Sequence, residues 1–118
     1  MVSNIVKGKS GEMLVRDFLV SKGYSILECN YRNKIGEVDI IAMDKNILVF
    51  IEVKSRTSTS YGYAFEAVDL KKQRKIINTS LVYIKFKNYK DIQLRYDIIE
   101  VYFQKDIKIN HLVNAFCL

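Results

Sequence analysis

Apolar and polar residues recur along this chain with two different periods, and the changes of period mark out its elements. From Gly8 to Lys22 the apolar residues Leu14, Val15, Phe18 and Leu19 fall at helical spacing and form one stripe, which stops at Gly23. Glu12, three and seven residues ahead of Val15 and Leu19, lies on or beside that stripe. Strand-like runs follow over Tyr24–Tyr31, Val38–Met43 and Ile47–Lys54. Thr57-Ser58-Thr59-Ser60-Tyr61-Gly62 reads as a polar loop. Helical spacing returns over Phe65–Lys85, with Leu70, Ile76, Ile77, Leu81 and Ile84 on its inner face, and strands over Leu94–Phe103 and Ile107–Val113 complete the chain.

The order α-β-β-β-α-β-β predicts an α/β fold with a mixed five-stranded sheet and helices packed on it. The first three strands can pair as antiparallel neighbours. The third and fourth, joined through the second helix, should be parallel across a right-handed crossover. At 118 residues, a single domain spanning 1–118 is expected.

The second and third strands flank Asp44-Lys45-Asn46, a turn-forming cluster. A hairpin folded about Lys45-Asn46 would set Asp39 directly across from Glu52. Alternation puts Glu37 on the face of Asp39, and Lys54 on the face of Glu52. Opposed like charges destabilise a sheet, so carboxylates gathered there beside a lysine suggest a divalent cation or a phosphate between them. Acid-x-Lys triplets also occur at Asp69-Leu70-Lys71 and Asp106-Ile107-Lys108. Those read as solvated pairs, the first at a helix start and the second on an edge strand. Glu52 and Lys54 differ because they end the most apolar run, Ile47-Leu48-Val49-Phe50-Ile51, where a charge is costly unless paired or coordinated.

Composition narrows the chemistry. A formal charge of +6 fits a polyanionic partner. The single histidine, His111, leaves no two-histidine ribonuclease, His-Glu-x-x-His zinc or two-Cys, two-His centre. His111 itself reads as packing or a local hydrogen bond. Cys29 and Cys117 are too few and too distant for a disulfide framework. No apolar run is long enough to cross a bilayer, and the N-terminus has no hydrophobic signal core, so a reduced cytoplasmic protein without membrane attachment is expected.

Carboxylate, lysine and metal chemistry remains, and it suits phosphodiester hydrolysis. Mg2+ (or Mn2+) would be held by Asp39 and Glu52, with the Val53 carbonyl as a third protein ligand. Lys54 would orient the attacking water or stabilise charge on phosphorus, and Glu12 would bind a metal-shell water or a second ion.

Glu on the first helix, Asp on the second strand and Glu-x-Lys on the third resemble the PD-(D/E)XK nuclease superfamily, near the Holliday junction resolvases. More closely, the chain resembles the YraN family of predicted endonucleases. The matching stretches are Gly8-Lys9-Ser10-Gly11-Glu12, Asn30-Tyr31-Arg32, Gly36-Glu37-Val38-Asp39-Ile40-Ile41, Phe50-Ile51-Glu52-Val53-Lys54-Ser55-Arg56, Lys71-Lys72-Gln73, Arg95-Tyr96-Asp97-Ile98-Ile99 and His111-Leu112-Val113-Asn114-Ala115-Phe116. The resemblance implies a restriction-endonuclease-like core, a catalytic quartet of Glu12, Asp39, Glu52 and Lys54, and Gln73 as an accessory residue beside Glu37. The superfamily's proline before the catalytic aspartate is absent, and Val38 stands in its place.

Phosphate contacts are expected from Arg32, Lys34 and Arg56 around the carboxylates and from Lys71, Lys72 and Lys75 on the second helix. The expected activity is a metal-dependent endonuclease on structured or damaged DNA. A nucleic-acid-binding module of the same fold with little or no nuclease activity is the alternative. A protein-interaction scaffold is a third reading, and a homodimer through an exposed strand or the aromatic C-terminus is open.

Overall fold

The computed structural model describes the backbone of residues 4–10 and both backbone and side chains of residues 11–56, 68–103 and 105–118. Its elements run α1 (Asn4–Ser21), β1 (Ser25–Arg32), β2 (Glu37–Asp44), β3 (Ile47–Arg56), α2 (Leu70–Lys87), β4 (Gln93–Phe103) and β5 (Ile107–Phe116). The strands form one mixed sheet in the order β1-β2-β3-β4-β5, in which only β3 and β4 run parallel. The apolar run Ile47–Ile51 is therefore the central strand. The α/β order expected from the sequence is the order observed.

Each helix seals one face. On the α1 side, Val15 and Leu19 pack with Ile40, Ala42, Val49, Ile51, Ile99 and Val101. On the α2 side, Ile76 and Tyr83 pack with Val38, Ile41, Leu48, Phe50, Tyr96 and Ile98. Burying two such faces with β-branched and aromatic side chains is the main stabilising contribution, about 25 cal/mol per Å2 of apolar surface removed from water.

Several boundaries and faces differ from expectation. The Phe65 start foreseen for α2 lies outside the described residues, but Val68 and Asp69 are not helical. Asp69 is the N-cap, and its carboxylate accepts the Lys72 N–H at 2.8 Å, which fixes the first turn at Leu70. Leu70 and Leu81 are exposed rather than inward. The buried stripe is Ile76, Thr79, Ser80 and Tyr83, spaced i, i+3, i+4 and i+7, and Leu81 stands one residue off it. The polar members are satisfied: Thr79 Oγ1 donates to the Lys75 carbonyl, and the Ser80 hydroxyl bonds both the Ile77 carbonyl and the Tyr96 hydroxyl. β5 continues past Val113 to Phe116, whose ring stacks on Tyr96 at 5.4 Å. The loop expected over residues 57–62 lies outside the described residues.

Candidate active site at the fork of the central hairpin

The β2–β3 hairpin keeps the register expected from its turn, from Asp44↔Ile47 to Ile40↔Ile51. It stops one step short of Asp39 and Glu52, which therefore do not meet as a ladder pair. Instead the Asp39 carboxylate accepts the backbone N–H of Val53 at 2.8 Å, taking the place of a strand carbonyl. Alternation along β2 also fails at this point. Val38 belongs to the α2-side core and Ile40 to the α1-side core, so the strand turns over across Asp39. Cys29↔Ile40 and Tyr31↔Val38 place Asn30 opposite Asp39, and Asn30 has a left-handed backbone (φ 54), a conformation asparagine tolerates better than most residues. Both strands of the β1–β2 pair thus twist at one level, and Asp39 is the pivot.

Glu52 stands beside this fork with only 6 % of its surface exposed. Burial, followed by the neighbouring Asp39 carboxylate, pushes its carboxyl up to about 7, against the opposing pull of Lys72 and Lys54. The Lys54 ammonium lies 3.5 Å from Glu52 Oε2 and the Lys72 ammonium, from the first turn of α2, 3.6 Å from the same oxygen. Glu12 approaches from α1. Its pKa is raised by burial first and then by the Asp39 carboxylate, while the Asn30 side chain lowers it by hydrogen bonding. Glycine 11 permits that approach, since a Cβ there would fall on the Ser55 hydroxyl of β3.

The donor set is chemically suited to a hard divalent cation. The Asp39 carboxylate disfavours charge on Glu52, a cation between the two would relieve that, and magnesium needs no more than one or two protein carboxylates. Among the described residues, no three Asp, Glu, His or Cys side chains converge on one point, so the remaining ligands of such an ion would be waters and substrate oxygens. The Val53 N–H, rather than its carbonyl, is the group seen engaged at the site.

Next to Lys72 opens a cavity of about 330 Å3 between the β1–β2 turn and α2. Arg32, Lys34, Lys72 and Lys75 all line it. Glu37 also reaches it, holding Arg32 in a 2.8 Å ion pair. Gly36 lies flat against α2, where a Cβ would stand 3.0 Å from Thr79 Oγ1 and 3.2 Å from Lys75 Cγ. Three other residues do not join this group. Arg56 is largely buried and paired at 2.9 Å with Glu100, itself bonded by Tyr102 and Asn110. Gln73 donates its side-chain amide to the Val68 carbonyl at 2.9 Å and so fastens the entry to α2. Lys71 is exposed and lines neither the fork nor the cavity.

Two features escaped the sequence. Lys72, on the first turn of α2 beyond the Asp69 cap, serves Glu52 as well as the basic cavity. Asn30 touches Glu12, a role that only its tolerance of left-handed backbone hints at. A separate buried network sits on the α1 side of β4. The Asp97 carboxylate, fully buried, accepts from Arg95 (3.0 and 2.9 Å) and from the Asn114 N–H (2.9 Å), and pairs with His111 Nε2 at 2.7 Å. Arg95 also reaches Asp44 and the Tyr24 hydroxyl. Every polar group there has a partner within the chain, so His111 makes a local structural bond.

Among the described residues, no helix is long and apolar enough to cross a membrane. The chain is 50 % identical over 113 residues to a UPF0102 protein of Caldanaerobacter subterraneus, covering 92 % of this chain and 93 % of that one. It is 46 % identical over 115 residues to one from Clostridioides difficile (98 % and 100 % covered) and 45 % over 113 residues to one from Persephonella marina (96 % and 95 %). The model of the family, described as uncharacterised protein family UPF0102, matches residues 11–101. That span opens at the Gly11-Glu12 approach, takes in the whole fork and closes on β4, and the chain belongs to the UPF0102 family.

Proposed function

We propose that this protein is a Mg2+- or Mn2+-dependent endonuclease that hydrolyses phosphodiester bonds in structured or damaged DNA. The observation that carries this reading is the Glu52 carboxylate, buried against Asp39 with two ammonium groups on one of its oxygens. A buried, charge-crowded carboxylate beside a cationic cavity is an arrangement that a structural role alone does not call for.

Asp39 and Glu52 would hold the cation, which supplies a lowered pKa for a bound water and neutralises phosphate charge. Hydrolysis joins one water oxygen to phosphorus and breaks one phosphorus–sugar oxygen bond, with one water proton lost and one gained by the leaving oxygen. The chain contributes position and field. The Val53 N–H fixes the Asp39 carboxylate. Lys54 sets its ammonium where negative charge builds on the phosphoryl oxygens. Glu12 is the remaining acceptor for a proton of an ordered water. The Arg32, Lys34, Lys72 and Lys75 cavity grips neighbouring phosphates without reading sequence.

The test is cleavage of branched, flapped, single- and double-stranded DNA by the purified chain with Mg2+ or Mn2+. Metal-dependent cutting that Lys54→Ala abolishes is expected. Equal behaviour of wild type and Lys54→Ala on every substrate would remove the reading.

One observation favours a second reading, a nucleic-acid-binding module of the same fold with little or no nuclease activity. Lys54 and Lys72 already stand against Glu52, and no third acidic or histidine ligand joins Asp39 and Glu52 among the described residues. That module would bind DNA in a salt-sensitive way unchanged by Asp39→Asn, and would show no heat of magnesium binding.

A further inference from the structure

The β1–β2 turn separates the basic cavity from a second one of about 660 Å3, and Arg32, Asn33, Lys34 and Ile35 border both. The second cavity is mainly apolar: Tyr31 and Val82 line it, with Ile35 and Phe86 from opposite sides. Phe86 is 78 % exposed, and Ile35 and Val82 are also open to solvent. The exposed Phe86 ring shares this cavity with the cationic side chains of Arg32, Lys34 and Lys87. Lys87 and Glu28, paired at 3.7 Å, also line it.

The ridge between the cavities is held firmly. Asn33 Oδ1 accepts the Ile35 and Gly36 N–H groups, and the Asn33 amide donates to the Tyr31 hydroxyl and, on α2, to the Thr79 carbonyl. Arg32 and Lys34 therefore stand at a fixed boundary, with a cationic hollow on one side and an aromatic-walled hollow on the other.

We infer that the second cavity receives a nucleobase from an unpaired nucleotide whose phosphate lies against Arg32 and Lys34. This rests on the nucleic-acid reading of the site and narrows it: the substrate carries single-stranded nucleotides beside the strand held at the fork. Charge complementarity favours this occupant. A nucleotide offers a π-face to Phe86 and an anion to the shared cationic rim, both of which the two hollows require together. A base inside an intact duplex has no free face to offer.

The experiment is fluorescence anisotropy in EDTA at low salt, so that cleavage plays no part. The full chain is titrated with a labelled blunt duplex and with the same duplex carrying an unpaired arm, whose bases are either present or replaced by abasic sugars. The armed duplex should bind more tightly than its abasic form, and Phe86→Ala should remove that difference, weakening binding of the armed duplex roughly tenfold. Affinity for the blunt duplex should be the same in both proteins. Phe86 is exposed, so the variant keeps its core, which circular dichroism will verify. Equal affinity for armed and abasic DNA, or equal loss on all three, overturns this inference while leaving the nucleic-acid reading standing. Absence of binding to any DNA overturns both. A dimer of the free chain that Phe86→Ala dissociates would give the cavity to a second copy, and would also overturn it.

Discussion

Lys72 and Glu52 lie 3.6 Å apart although they belong to different elements, α2 and the central strand β3. The Lys72 backbone N–H is bound by the Asp69 cap while its side chain leans over the fork. One residue thereby ties the helix start to the carboxylate site.

Glu52 makes stability depend on pH. Its carboxyl ordinarily titrates near 4.5 and is raised to about 7 in the folded chain. Below 4.5 both folded and unfolded chains hold the proton, and nothing is lost. Between 4.5 and about 7 the unfolded chain releases it while the folded one keeps it, so stability falls as pH rises and then levels off. The gap corresponds to on the order of 3 kcal/mol. Denaturant melts of wild type and Glu52→Gln should diverge across that window, with the variant gaining relative to wild type as pH increases. Parallel curves from pH 4.5 to 7.5 would refute the assignment.

Asp39→Asn separates the hydrogen bond that side chain makes from the hold on a cation proposed for it. The amide oxygen can still accept the Val53 N–H, so the fork should persist, whereas the charge that attracts a cation is gone. Saturating Mg2+ or Mn2+ at about a hundred times Kd should stabilise wild type by about 2.7 kcal/mol, a rise of several degrees in Tm, and leave the variant unmoved. An equal metal-induced shift in both proteins would locate the ion elsewhere.

Lys72→Ala with Lys75→Ala should weaken DNA binding in a sequence-independent manner. If each ammonium neutralises one phosphate, the slope of log affinity against log salt should become shallower by about 2. A Lys71→Ala variant, altered outside the cavity, should change that slope far less. Titrations between 50 and 200 mM salt decide the matter, and identical slopes would remove these lysines from the interface.

Asp97→Ala should unfold the protein more readily than any change at the fork. It leaves Arg95 and His111 facing a buried site with no carboxylate, and loss of one partner from such a network costs about 3–5 kcal/mol. Urea midpoints measure this directly, and a change within experimental error would show that water replaces the carboxylate.

The fold was largely legible because its signals are local and redundant. The Ile47–Ile51 run, the turn at Lys45-Asn46 and the two helical stripes each select one element. The quartet of Glu12, Asp39, Glu52 and Lys54 could be placed on those elements by residue type and order. What the sequence did not reveal depends on backbone departures from regularity. A hairpin symmetric about Lys45-Asn46 gives Asp39 a ladder partner in Glu52, but the ladder ends at Ile40↔Ile51 and the strand turns over at Asp39, opposite the left-handed Asn30. Helical spacing points Leu70 and Leu81 inward, yet the face of α2 that meets the sheet carries Ile76, Thr79, Ser80 and Tyr83, and both leucines stand in solvent. Arg56 has the charge for a phosphate contact, and only the three-dimensional pairing with Glu100 shows where that charge is spent.

The parallel alignment of β3 with β4 puts the slower kind of strand pairing at the centre of the sheet, and an order of assembly would follow from it. Hairpins between sequence neighbours close early, whereas a parallel pair must wait until the intervening helix has crossed the sheet. A nascent or partly refolded molecule would then own Asp39 and Glu52 but lack Lys72, and its acidic pair would stand unbalanced. The complete fork, with Lys72 against Glu52, would arrive last, together with the finished tertiary structure.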